Sequence, residues 1–203
     1  VPYWSFYFTE DNIYSVKIPE GVKKISKYAF NGCGGLTKVQ LPESLEEIET
    51  EAFRGCNKLE AMRIPHKTMR VGESSFRDCV NMKKLEVNND CIKLGERAFE
   101  NCAKLDLASL PSALKEISIE AFNGAGIKNV VLPENMTLLG IYAFANSAVE
   151  SVVFNGAEDY GGGIFAYCDK LASESEKLTV PFYPNISVGW DNNVRFYDFI
   201  PGV

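Results

Sequence analysis

Phenylalanine recurs at Phe30, Phe53, Phe76, Phe99, Phe122, Phe144 and Phe165, in steps of 23, 23, 23, 23, 22 and 21 residues. Alanine precedes five of them, at Ala29, Ala52, Ala98, Ala121 and Ala143; Ser75 and Ile164 take that place elsewhere. Three residues after each ring comes a small side chain: Cys33, Cys56, Cys79, Cys102, Ala125, Ser147 and Cys168. An apolar run follows at fixed offsets. It reads Leu36, Val39, Leu41, Pro42, Leu45 and Ile48 in the first full unit, and Leu105, Ala108, Leu110, Pro111, Leu114 and Ile117 in the fourth. A unit this short cannot bury its own apolar side. Stacked units can, each side chain resting on its equivalent in the next turn. The repeat therefore predicts a solenoid with a ladder of phenylalanine rings beside a ladder of small side chains.

Register within such a stack is strict, because a one-residue slip turns a strand's inward set outward. Val39 and Leu41 are expected to point in, with Lys38 and Gln40 out. The 22-residue step after Phe122 must lose its residue in a loop, and the Pro133–Met136 segment is the expected place. The third unit lacks its proline: Val87 is followed by Asn88-Asn89-Asp90, which marks a different turn.

The units resemble the leucine-rich repeat family, and within it the BspA-like branch of bacterial surface proteins. That branch is built on Ile-x-x-x-Ala-Phe-x-x-Cys-x-x-Leu-x-x-Val-x-Leu-Pro. The resemblance runs from about Ile13 to Val180. It implies an α/β solenoid, a right-handed superhelix whose Leu36-to-Leu41 segments and their equivalents form a short-stranded parallel sheet. Turns, short strands and helical or 3₁₀ pieces are expected to close the other side. Repeat scaffolds carry many functions, so the resemblance speaks to fold first.

One domain over 1–203 is expected, with an aromatic cap and partial repeat over 1–24, repeats over 25–181 and a terminal cap over 182–203. The partial repeat holds Ile13, Val16, Ile18, Pro19, Val22 and Ile25. Tyr3, Trp4, Phe6, Tyr7, Phe8 and Tyr14 are expected to cover the first turn; Trp190, Phe196, Tyr197 and Phe199 are expected to seal the last. Asp159-Tyr160-Gly161-Gly162-Gly163 reads as a loop. No Gly-Lys-Ser/Thr follows it, so a phosphate cradle is disfavoured. Residues 172–177 lengthen the final turn. The chain opens Val1-Pro2-Tyr3 without a signal-peptide pattern, and no apolar run of about 18 residues spans a membrane.

Six cysteines in an exported chain would ordinarily suggest disulfides. Five of them hold the slot that Ala125 and Ser147 also fill, and Cys91 takes the slot of Leu45 and Leu114. Buried thiols are the expectation, with adjacent-turn disulfides the open alternative. There is no Cys-x-x-Cys pair, and the single histidine, His66, follows Pro65 in a turn, so no metal and no cofactor are expected. A cysteine nucleophile would need a base within reach, and no acid pair stands out for glycoside hydrolysis. The carboxylates of Glu46, Glu47, Glu49, Glu51 and Glu60 read as a solvated group. The chain is expected not to be an enzyme. Its 21 basic against 27 acidic side chains leave a net charge of −6, which weighs against nucleic acid.

Function is expected on the outward strand positions: Lys38 and Gln40, Ala61 and Arg63, Lys84 and Glu86, Leu107 and Ser109, Asn129 and Val131, Ser151 and Val153. Lys38, Arg63 and Lys84 suggest a modest basic stripe. Leu107, Val131 and Val153 suggest an apolar patch, since neighbouring turns lie about 5 Å apart. Such a patch often marks a protein contact, and weak self-association through it is a further expectation. The resemblance implies an extracellular or cell-surface binding or adhesion module with a host or cell-surface protein as partner. A spacer displaying other parts of a longer protein is the alternative, and a glycan partner is less favoured, because these slots hold no aromatic platform.

Overall fold

The computed structural model describes residues 1–2, 5–6, 13–107, 109–153, 155, 157–172 and 178–179, with the backbone alone at 157, 158, 160, 172, 178 and 179. The elements in chain order are β1 (Ser15–Lys17), β2 (Lys24–Ile25), β3 (Lys38–Gln40), β4 (Glu47–Ile48), β5 (Ala61–Ile64), β6 (Arg70–Val71), β7 (Lys84–Val87), β8 (Lys93–Leu94), β9 (Glu116–Ile117), β10 (Asn129–Val131), β11 (Met136–Leu139), β12 (Ser151–Val153), β13 (Ala157–Tyr160), α1 (Asp169–Ala172) and β14 (Leu178–Thr179). All strand pairs are parallel and join successive turns, as in Val16↔Val39 and Ile25↔Ile48. The chain is a parallel-stranded solenoid of stacked units of about 23 residues.

Two faces carry strands. The outward face that the sequence marks holds three short sheets, β1-β3, β5-β7 and β10-β12-β14. The opposite side is closed by one unbroken sheet in the order β13-β11-β9-β8-β6-β4-β2. Its members are two to four residues long, and the helical content among the described residues is the single turn of α1.

The seven repeat phenylalanines stack between these sheets, with Phe6 adding an eighth ring. Successive centroids lie 4.9 to 5.4 Å apart and the planes tilt by 1° to 15°. Beside them runs the small-residue ladder. Each thiol donates to the carbonyl of the preceding turn's ring residue: Cys33 to Phe6, Cys56 to Phe30, Cys79 to Phe53, Cys102 to Phe76 and Cys168 to Phe144, at 3.1 to 3.3 Å. The slot takes a small side chain, and where that side chain is a thiol it reaches one carbonyl. All six cysteines are free and buried.

Each turn bends through left-handed backbone on both sides of its ring. Two residues before it stand Tyr28, Glu51, Ser74, Arg97, Glu120 and Tyr142, with φ between 50° and 58°. Two residues after it, Asp78, Asn101, Asn146 and Tyr167 adopt φ between 53° and 63°. Asn and Asp tolerate this region; the bulkier residues are held there by their neighbours.

The alanine slot exposes one flaw. Ser75 is fully buried there and its hydroxyl has no hydrogen-bond partner. Alanine fills the same place in five turns, so Ser75→Ala removes an orphaned polar group without opening a cavity. We expect a gain of about 1 kcal/mol, measured by urea unfolding; an unchanged or lower midpoint would contradict it.

The Val1 amino group donates to Lys24 O at 2.8 Å, and Val1 O accepts from Ser26 N at 3.1 Å. Phe6 N donates to Ala29 O at 2.9 Å while its ring covers Phe30. Tyr14 does not join this cover: it is 61% exposed. The expected cap residues Tyr3, Trp4, Tyr7 and Phe8 lie outside the described residues, as do 173–177 and the whole of 182–203 with Trp190, Phe196, Tyr197 and Phe199.

Two loop expectations are corrected. The residue missing after Phe122 is lost before the strand, not in Pro133–Met136. Ile127 follows Ala125 by two residues where Leu105 follows Cys102 by three, and Met136 already opens β11. Gly126 permits this short cut, since a Cβ there would lie 2.6 Å from Ala103 O. Asp159 and Tyr160 are also no loop; they end β13 and pair with Leu138 and Leu139. Gly161 is required by close stacking, because a Cβ would stand 2.1 Å from Ile141 N.

Candidate functional site

The first three turns present the outward residues as the alternation predicts. Lys38, Gln40, Ala61, Arg63, Lys84 and Glu86 are exposed, while Met62, Ile64 and Leu85 are buried and Val39 is half-buried. β1 extends the face with Ser15 and Lys17, in register with Lys38 and Gln40. The sequence pattern contained Lys17 one residue after Val16 in the partial repeat, so the same alternation points to it. The basic stripe is thinner than its residue types suggest. Arg63 is tied to Glu43, whose carboxyl it holds below the ordinary range. Lys84 lies in register with Asp106.

The fourth turn departs from the pattern. Leu107 is only 6% exposed, so it is not part of the outward face. Lys84 pairs in register with Asp106, which sets Leu107 opposite the buried Leu85. The cause is volume. Strict spacing would place Ala108 in the inward slot occupied by Val39, Met62, Leu85, Val130 and Val152. Leu107 fills that slot where alanine would leave a void. Among the described residues no fourth-turn strand stands between β7 and β10, and Lys84–Asp106 is an isolated bridge. Asp106 comes out, and Ser109 stays exposed one extra residue along. Asp106 is the outward residue that strict repetition hides; the pair Leu105 and Leu107, two residues apart, was its signal.

Beyond the break Asn129 is exposed and Val131 is 52% exposed, while Ser151 and Val153 are half-buried. Ser151 Oγ contacts Asn129 Oδ1 at 2.6 Å. The expected apolar patch thus contracts to Val131 and Val153. Beside Val131 the break opens a hollow of about 390 Å³, walled by Ser109, Leu110, Ser112, Pro133 and Glu134.

A longer groove of about 820 Å³ lies on the seven-stranded sheet. Within it Lys93 meets Glu116, and Glu47 is met by Lys24 from outside the lining, each at 2.6 Å. The acidic groups flagged in the sequence are likewise paired. Glu46 meets Lys23, Glu51 meets Arg54 at 3.0 Å and Glu60 meets Lys83 at 3.2 Å. Among the described residues Glu100 is the one carboxyl pushed above its ordinary range, by desolvation against the pull of Arg77 at 2.9 Å. It sits between Arg77 and Arg97. His66 is exposed in its turn, 3.9 Å from Asp90. Among the described residues no group of three or more His, Cys, Asp or Glu side chains could hold a metal ion. No described helix is long and apolar enough to cross a membrane.

A family model described as BspA type leucine-rich repeat region matches residues 4–123 and 94–176, in six copies. Among solved structures, a leucine-rich repeat protein of T. pallidum is 28% identical with a TM-score of 0.54, covering 77% of this chain and 64% of its own. One from Eubacterium ventriosum is 20% identical with a TM-score of 0.66, covering 88% and 46%. One from Bacteroides ovatus is 23% identical with a TM-score of 0.50, covering 78% and 54%. The last two show the fold alone. The chain spans 46% to 64% of the length of these three proteins. No curated protein matches it.

Proposed function

Because the chain belongs to the BspA-type leucine-rich repeat family, we propose that it is an extracellular, non-enzymatic binding or adhesion module whose partner is a host or cell-surface protein. The partner lies across the outward strand residues. The observation that carries this reading is the face itself: exposed side chains in register within β1-β3 and within β5-β7, changing from Lys38 and Lys84 at one end to Val131 beyond the fourth turn. A row of this kind offers varied chemistry on a fixed pitch, which suits recognition better than catalysis.

The test is a direct binding screen against extracellular-matrix proteins, host-cell surface proteins and a glycan array, with Val131→Asp beside the native chain. Val131 is the right probe because it is exposed; Leu107→Asp would bury a charge and unfold the turn. Saturable binding weakened about tenfold or more in the folded variant is expected. Binding equally well to both would move the contact off this face. Binding only to glycans would replace the protein partner.

A spacer role is the second reading. It is favoured by the uninterrupted ring ladder from Phe6 to Phe165 and by the chain's matching only part of its longer relatives. A clean screen with a fully folded protein would favour it.

A further inference from the structure

We propose that the hollow beside the fourth-turn break is an anchor site for an arginine side chain of the protein partner; this rests on the strand-face reading above. The walls divide by chemistry. Leu110 and Pro133 are half-buried and Val131 is 52% exposed, which gives an apolar channel for an aliphatic stem. Glu134 stands on the same wall, exposed and without an ion pair among the described residues. Among the described residues the lining holds no Lys, Arg or His. A carboxylate entering it would meet another carboxylate and no described cation, whereas a cation finds its counter-charge.

The break also supplies acceptors. Among the described residues β10 pairs with β12, and no ladder joins its other edge to the fourth turn. Ser109 and Ser112, whose hydroxyls can accept, line the same hollow. A guanidinium offers five donors and no acceptor, in a planar fork that a carboxylate can receive at two points; an ammonium offers three. Arginine side chains are enriched among the residues that dominate protein interfaces, where the stem is buried and the fork paired. The volume, about 390 Å³, lies within the usual range of pockets that hold one group. In this arrangement the register fault at Leu107 is what makes the site, because a regular fourth strand would pair with β10 and close the edge.

The test uses the whole isotope-labelled chain and four blocked amino acids: N-acetyl methylamides of arginine, lysine, norleucine and glutamate. Amide shifts are followed by NMR up to about 50 mM of each. The arginine derivative is expected to saturate with shifts centred on Leu110, Val131 and Glu134, at least about threefold more tightly than norleucine. Glutamate should be the weakest. Glu134→Gln, a surface change that keeps the side-chain shape, should bring arginine down to the norleucine level. Norleucine binding as tightly as arginine, arginine unaffected by Glu134→Gln, or no saturation at these residues would each overturn the proposal. The two readings fail separately. A protein partner lost in Val131→Asp but indifferent to Glu134→Gln removes the arginine anchor and keeps the strand face. A saturable arginine site on a chain whose protein partner ignores Val131→Asp removes the strand-face reading.

Discussion

Phe99→Ala is expected to cost about 3–5 kcal/mol of stability. Phe99 is fully buried, with Phe76 and Phe122 on its two sides at 5.3 Å and tilts of 1° and 9°. Truncation removes the ring's transfer energy, two stacking contacts and the filling of a central space at once. In a stack where each turn touches only its neighbours, it also weakens the coupling between the two halves. Urea unfolding followed by circular dichroism should show a lower midpoint and a shallower, less cooperative transition. Phe99→Leu, which keeps most of the volume, should cost clearly less. A loss below about 1 kcal/mol for the alanine variant would contradict a stacked-ring core.

Alkaline pH should destabilise the chain steeply. Burial pushes the Cys91 thiol up to about 11 from 9.0. Cys56 is raised by its contact with Cys79 and by burial; Cys102 and Cys168 are raised chiefly by burial. A thiol whose folded pKa is raised stays protonated in the fold while the unfolded chain has already lost its proton. The unfolded state then gains as pH rises, from the unfolded value to the folded one. For Cys91 the window is pH 9 to 11 and the loss is roughly 2–3 kcal/mol. Cys56, Cys102 and Cys168 add in the same direction. Stability measured by urea at pH 8, 9 and 10 should therefore fall, and Cys91→Val should flatten the slope by about one proton. The native thiols should also resist an aromatic disulfide reagent at pH 8 until the chain is unfolded. Stability unchanged between pH 8 and 10 would sink this account.

How far the sequence carries depends on the length over which a signal repeats. Phe30 to Phe165 gave seven chances to see one slot, and each ring stands where its spacing places it. Lys38, Arg63 and Lys84 were legible for the same reason, since three turns repeat one alternation. The seven-stranded sheet was not. Lys24–Ile25 and Glu47–Ile48 are two residues long, and a period of two cannot be read over two residues. The fourth turn misled because two rules compete there. Repeat spacing favours Ala108 as the inward residue, while packing volume favours Leu107, and volume wins. The hollow beside Val131 follows from that contest and has no motif of its own.

The ring spacing of 4.9 to 5.4 Å has a geometric corollary. Every feature on the surface is separated from every other by a whole number of turns, so distances along the axis come in integer steps. Adding or deleting one complete unit shifts all that follows by one step and leaves each side chain's own surroundings as they were. The gap between the cations near Lys38 and the opening beside Val131 is thus set by counting units, not by adjusting contacts. A partner that grips both ends of the face uses the solenoid as a ruler, and a chain with one turn more or less presents that partner with the same marks at the wrong division.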